Sequence, residues 1–182
     1  WAGLGYYSRA RNLLKCARQI VSDYDGQFPD TEDALLALPG IGPYTAAAVA
    51  AIAFNQPAAP VDGNIERVLA RITADTTPLP DLKKVIKSVC QSMVPDHRPG
   101  DVAQAMMDLG ATICTPKRPN CSACPWHQNC RARHQKIADT LPRRAPKKPK
   151  PERVGTVFWL ENHKSEVLMA RRPDKGLLGG ML

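Results

Sequence analysis

The 182-residue sequence predicts a mostly α-helical fold. Three observations carry this expectation. Two helical segments flank the break Pro39-Gly40-Ile41-Gly42, the second of them an alanine-rich run from Thr45 to Phe54. Apolar residues then recur at helical spacing after Asp62, Asp81 and Asp101. Turn residues and short apolar runs replace that period after Val154, which predicts a separate β-containing piece.

In chain order, Trp1 to Tyr7 is a turn rich in glycine and aromatics. It leads into a helix from Ser8 to Tyr24 with Leu13, Leu14, Ala17, Ile20 and Val21 on its apolar face. A short helix follows from Thr31 to Ala37, with Thr31 as N-cap and Glu32 and Asp33 suited to the positive end of the dipole. Pro43 fits the first turn of the next helix. Two helices joined by a tight Leu38-Pro39-Gly40-Ile41-Gly42 turn present backbone N–H groups beside a helix start, a suitable seat for one backbone phosphate. An ordinary αα-hairpin with glycines at its corner is the plainer reading. Asp62, in Val61-Asp62-Gly63-Asn64, is on its own a helix N-cap for the pattern Ile65, Val68, Leu69, Ile72. Asp81 and Asp101 are expected to cap two core-forming helices, the second running from Val102 to Ile113, and neither is given any chemistry.

The six cysteines fall into two classes. Cys16 and Cys90 sit alone in apolar helical contexts and read as buried small hydrophobes. Cys114, Cys121, Cys124 and Cys130 follow the spacing C-x6-C-x2-C-x5-C. Such clustering without secretory features points to a metal rather than to disulfides. Zinc sites more often pair two short C-x-x-C knuckles; with only one, the spacing favours iron–sulfur over zinc. Lys117 and Arg118, pinned between two of these cysteines, would face a phosphate backbone.

Charge is local. Residues 131–153 hold nine Lys/Arg against two Asp/Glu, whereas residues 1–130 hold twelve of each. The basic run is read as a solvated face of a Pro-rich linker, residues 134–153, extended rather than helical. Beyond it, GTVFWLE and EVLMARR are expected as two strands around Asn162-His163-Lys164-Ser165, followed by a Gly-rich loop, Gly176 to Gly180. No apolar run reaches the roughly 18 residues that cross a membrane, so no membrane partner is expected. The chain starts at Trp1 inside a turn and stops at Met181-Leu182 in mid-pattern, which reads as an internal fragment of a longer protein.

LPGIGPYTAAAVAAIAF followed by PVDGNIERVLAR resembles the helix-hairpin-helix and Gly/Pro-Asp signature of the endonuclease III superfamily of DNA glycosylases. WAGLGYYSRARNL and AQAMMDLGATICTPKRPNC are most similar to its A/G-specific adenine glycosylases, the MutY type. The resemblance implies a helix-hairpin-helix glycosylase domain over residues 1–133, with a 4Fe-4S cluster on the loop 114–130. It also implies that residues 154–182 begin a Nudix-like α/β domain, though without the acidic metal-binding helix of a Nudix hydrolase. The implied substrate is double-stranded DNA with adenine opposite 8-oxoguanine or guanine, acted on by a monomer in the bacterial cytoplasm, at the nucleoid.

Roles follow residue by residue. Asp62 would stabilise the cationic sugar left by the departing base, with Tyr44 and Asn64 setting its environment. Tyr6 would wedge into the base stack, with Arg9 one turn away on DNA. Leu38, Gly40, Ile41, Gly42 and Thr45 would form the phosphate-binding hairpin. In bifunctional members a lysine stands eighteen residues before the aspartate; here that position is Tyr44, which implies hydrolysis without strand cleavage. One departure is Glu66, where some relatives carry lysine. The family's second carboxylate, which protonates adenine, would lie upstream of Trp1, so the fragment alone is expected to be inactive. A non-catalytic helix-hairpin-helix module and an endonuclease III-like glycosylase/lyase are the alternatives.

Overall fold

The computed structural model describes every residue except Ala2, 147–148, 153, 174–178 and 181–182. It divides into two compact units, Trp1–Pro146 and Lys147–Leu182.

The first unit is helical. Its elements are α1 (Tyr7–Asp23), α2 (Glu32–Leu36), α3 (Pro43–Phe54), α4 (Gly63–Thr73), α5 (Leu82–Met93), α6 (Pro99–Asp108) and the single-turn α7 (Arg131–His134). Thr31 accepts the Ala34 N–H and Pro43 occupies the first turn of α3, both as the sequence predicts. One core joins α1 to the hairpin through Cys16, Ile20, Leu35, Leu38, Ala46, Ala47, Ala50 and Ala51. Alanines line α3 on more than one side, so both α2 and α6 approach its backbone. Ala50 is fully buried between them. Ala50→Leu should therefore overpack this junction and cost about 1–3 kcal/mol, visible as a lowered thermal midpoint by circular dichroism.

The second core is built on α4, whose Ile65, Val68 and Leu69 meet Leu82 and Ile86 of α5 and Met106 of α6. A third, smaller core of Ala132, Ala138 and Leu141 lies under the cysteine loop.

Several expectations are corrected here. The buried line of α1 is Cys16 and Ile20, while Leu13, Leu14 and Val21 are 53–69 % exposed. The helix buries that i, i+4 line against the hairpin, and Asn12 abuts Gly40 one turn earlier. Asp81 stands at the start of α5 but makes no side-chain cap, because its own backbone is already helical. Asp101 is no cap either: α6 begins earlier, at Pro99, with Arg98 in the left-handed region and ion-paired to Asp101. The stretch Leu109–Ile113, predicted as the end of an α-helix, is a π-helical turn, with the Cys114 N–H reaching Leu109 O at 2.7 Å.

The segment expected to be a linker from residue 134 folds onto the first unit as far as Pro146. Leu141 is 3 % exposed, and Leu79 pairs with Arg143 and Ala145 through backbone hydrogen bonds of 2.9 and 3.2 Å. Ala138 and Leu141 are apolar enough to hold it there despite the surrounding charge.

In the second unit the predicted turn exists: Asn162 Oδ1 accepts from the Lys164 and Glu166 amides at 2.8 and 3.0 Å. The two strands do not. Among the described residues they are reduced to a single bridge, Glu161 with Val167, and Val157, Phe158 and Trp159 are exposed. A lone hairpin is marginal without a surface to cover. The expected Gly-rich loop falls largely on residues outside those described.

Candidate active site and nucleic-acid interface

The LPGIG turn has the shape its residues dictate. Gly40 has φ +79°, where a side chain is strained, and Gly42 is the N-cap of α3. Ile41 N–H bonds Leu38 O at 3.2 Å and closes the turn. Leu38 itself is buried and does not line the groove beside the turn. Gly40, Ile41 and the Pro39 ring share a groove of about 310 Å³ with Tyr6, Ser8, Arg9 and Asn12 of α1 and its approach. Tyr6 is 76 % exposed and has φ +48°, and the Arg9 guanidinium lies 5.4 Å from its ring centroid. The structure thus brings the predicted wedge, its arginine and the hairpin to one groove. Thr45, half-buried in the first turn of α3, lies beyond the residues that line it.

Asp62 realises the plainer expectation in full, as the N-cap of α4. Its Oδ1 accepts from the Asn64 and Ile65 amides at 2.9 and 2.8 Å, and its Oδ2 accepts from Asn64 Nδ2 at 2.9 Å. Asn64 is therefore held to Asp62 as predicted. Among the described residues no hydrogen bond joins Tyr44 to Asp62. The Tyr44 hydroxyl points to Met107 Sδ at 3.6 Å. Tyr44 shares a cavity of about 290 Å³ with Val61, the residue before Asp62, and with Glu66, Glu32, Lys83 and Lys87. Glu66 is paired with Lys83 at 3.2 Å.

Two arginines that the sequence reading passed over tie this carboxylate to the cysteine loop. Arg67 donates to Asn64 Oδ1 (2.9 Å), Gly110 O (2.7 Å) and Cys114 O (2.7 Å). Burial, then the adjacent Arg71, pulls Arg67 below the ordinary arginine range, against the opposing attraction of Cys114 and Asp62. Arg71 is only 1 % exposed and donates to Leu141 O, Thr115 O, Pro116 O and both the carbonyl and the Sγ of Cys114. Asn64, Arg67 and Arg71 share one face of α4 by their i, i+3, i+7 spacing, the signal by which they could have been found.

Cys114, Cys121, Cys124 and Cys130 line one small pocket of about 20 Å³, together with Arg71, His127 and Arg133. Burial, then the neighbouring Cys130, Cys114 and Cys124, pushes the Cys121 thiol up. Among the described residues no three His, Cys, Asp or Glu side chains converge on a single ion position. Four thiols around one pocket are a soft donor set that suits zinc or an iron–sulfur cluster. Lys117 and Arg118 are exposed on the same loop, where Thr115 Oγ1 donates to Arg118 O at 2.8 Å.

A helix pair closed by LPGIG, a capped aspartate on the following helix and a four-cysteine loop behind it define a helix-hairpin-helix glycosylase architecture. Residues 23–52 match the helix-hairpin-helix motif model. The chain carries this motif and resembles the DNA glycosylases of the endonuclease III superfamily, and among them the adenine DNA glycosylases of the MutY type. It is 37 % identical to the human adenine DNA glycosylase and 39 % to that of Arabidopsis thaliana, across the whole chain in each case but 42 % and 31 % of those proteins. The adenine DNA glycosylase of Buchnera aphidicola from Acyrthosiphon pisum is 36 % identical over 90 % of the chain and 49 % of that protein. The chain thus spans less than half the length of these relatives. Among solved structures, a thermostable thymine-DNA glycosylase superposes with a TM-score of 0.62 at 32 % identity, over 69 % of this chain and 58 % of that one. A non-covalent endonuclease III–DNA complex gives 0.60 at 29 %, over 72 % and 61 %.

Proposed function

We propose that the protein is a monofunctional glycosylase of base-excision repair that hydrolyses the N-glycosidic bond of adenine opposite 8-oxoguanine or guanine in duplex DNA. The observation that carries this reading is the Asp62 carboxylate, fixed by three hydrogen bonds at the start of α4 beside the cavity of Tyr44. The adenine must leave the stack before its bond can be reached, and Tyr6 would fill the gap. As the bond breaks, the ribose becomes cationic, and a carboxylate already pinned by backbone amides needs little rearrangement to stabilise it. Water then adds to the sugar. Asn64 and, behind it, Arg67 hold the carboxylate in place. The leaving adenine must also take up a proton, which a second carboxylate would supply.

The four cysteines would hold a 4Fe-4S cluster, whose contribution is structural: it pins the loop that carries Lys117 and Arg118 against DNA phosphates. Iron and acid-labile sulfide in purified protein, with loss of both in Cys121→Ser, are the expected results; zinc without iron would contradict them. Residues 154–182 would open a Nudix-like domain that reads the oxidised guanine. The protein would act as a monomer in the bacterial cytoplasm.

Tyr44 supports hydrolysis over lyase chemistry, since a phenol forms no Schiff base. Borohydride added during turnover should therefore trap no covalent protein–DNA adduct. An adduct would favour the endonuclease III-like reading.

A further inference from the structure

We infer that Gly110, in the π-helical turn between α6 and Cys114, is a positioning residue for the Asp62–Asn64 pair; the inference rests on the adenine-hydrolysis reading above. Two observations meet at this position. A Cβ placed on Gly110 would lie 2.5 Å from Asn64 Cβ and 3.0 Å from Asn64 Cα, closer than carbon atoms approach in folded proteins. The Gly110 carbonyl also accepts the 2.7 Å hydrogen bond from the Arg67 guanidinium that holds Asn64 Oδ1.

The π-turn makes the second contact available. Its widened ring sends the Cys114 N–H back to Leu109 O, and the chain then turns away at Cys114 with φ −86° and ψ 53°. Gly110 O is thereby left facing α4. A regular α-helix would commit that oxygen to the amide four residues on, which is Cys114. The extra residue and the absent side chain act together: one lets the turn offer its carbonyl, and the other lets it lie flat against the backbone of Asn64. Any side chain at 110 must displace Asn64, whose amide Nδ2 and N–H both hold Asp62. Gly110 touches neither substrate nor reacting atoms; it sets the depth at which the α4 start, and so the carboxylate, sits.

Gly100, in the first turn of α6, provides the control. A Cβ there would meet Ala51 O at 2.7 Å and Ile52 Cα at 2.8 Å, a similar steric insult directed at α3 instead of α4.

The test uses the full-length active protein with a duplex carrying adenine opposite 8-oxoguanine. Gly110→Ala is expected to lower the single-turnover rate constant of adenine release by about tenfold or more, with the Kd for a duplex bearing a non-hydrolysable adenosine analogue within about twofold of wild type. Gly100→Ala should lower the melting temperature comparably but leave both constants of the folded protein within about twofold. The double change Asn64→Gly with Gly110→Ala removes the opposing Cβ and should recover much of the melting temperature lost by Gly110→Ala, without recovering the rate. A wild-type rate in Gly110→Ala, equal rate losses in the two single variants, or no thermal recovery in the double variant would overturn the assignment. A wild-type protein that releases no adenine defeats the functional reading instead, and the thermal recovery still decides whether the contact is real.

Discussion

Asp62→Asn should leave the protein folded and DNA-bound while lowering adenine release about a thousandfold. Asparagine caps helices as well as aspartate does, so its Oδ1 keeps the Asn64 and Ile65 amides and α4 stays anchored. The charge is lost, and with it the bond that Oδ2 accepts from Asn64 Nδ2, since an amide nitrogen cannot accept. A carboxylate about 4 Å from a cationic sugar at an effective dielectric near 20 contributes on the order of 4 kcal/mol, or roughly three powers of ten in rate. The substitution thus separates the cap from the chemistry. Single-turnover base release measured beside a DNA-binding titration is the check. Equal loss in both would return Asp62 to a purely structural role and favour the non-catalytic module.

Arg71→Met should be the most damaging single change to the fold. Methionine replaces the stem but leaves the carbonyls of Thr115, Pro116 and Leu141 without this donor, while Cys114 O keeps its bond from Arg67. At about 1 kcal/mol for each of the three the loss is about 3 kcal/mol, a large part of the 5–15 kcal/mol available to a typical domain. The Cys114 sulfur also loses the N–H that approaches it at 3.2 Å. The expected outcome is a sharply lowered melting temperature, with the purified protein poor in iron. Wild-type values for both would show that the guanidinium is dispensable to the loop.

How legible these features were follows from how local each one is. The LPGIG turn, Thr31, Pro43 and Asp62 are governed by conformational rules that act within four residues, and each stands where those rules put it. The cysteine loop was legible through its spacing, and the structure gathers all four thiols around one pocket. Arg71 was not, because a charged residue reads as surface until the carbonyls that receive it, 43 to 70 residues away, are known. The π-turn escaped for a related reason: a one-residue insertion leaves the apolar period of Met106 and Leu109 almost intact. The apolar runs in GTVFWLE and EVLMARR were read as strands, yet β-structure depends on a partner surface, and the second unit offers little.

The central claim, hydrolysis of adenine from DNA by a carboxylate at position 62, is tested most directly by product analysis. The full-length protein is incubated with a duplex carrying adenine opposite 8-oxoguanine, and the reaction is divided before quenching, one half with alkali and one without. Free adenine should appear, with the strand intact until alkali cuts it at the abasic site, and neither should form with Asp62→Asn. A strand nicked without alkali, or undiminished adenine release by Asp62→Asn, would contradict it.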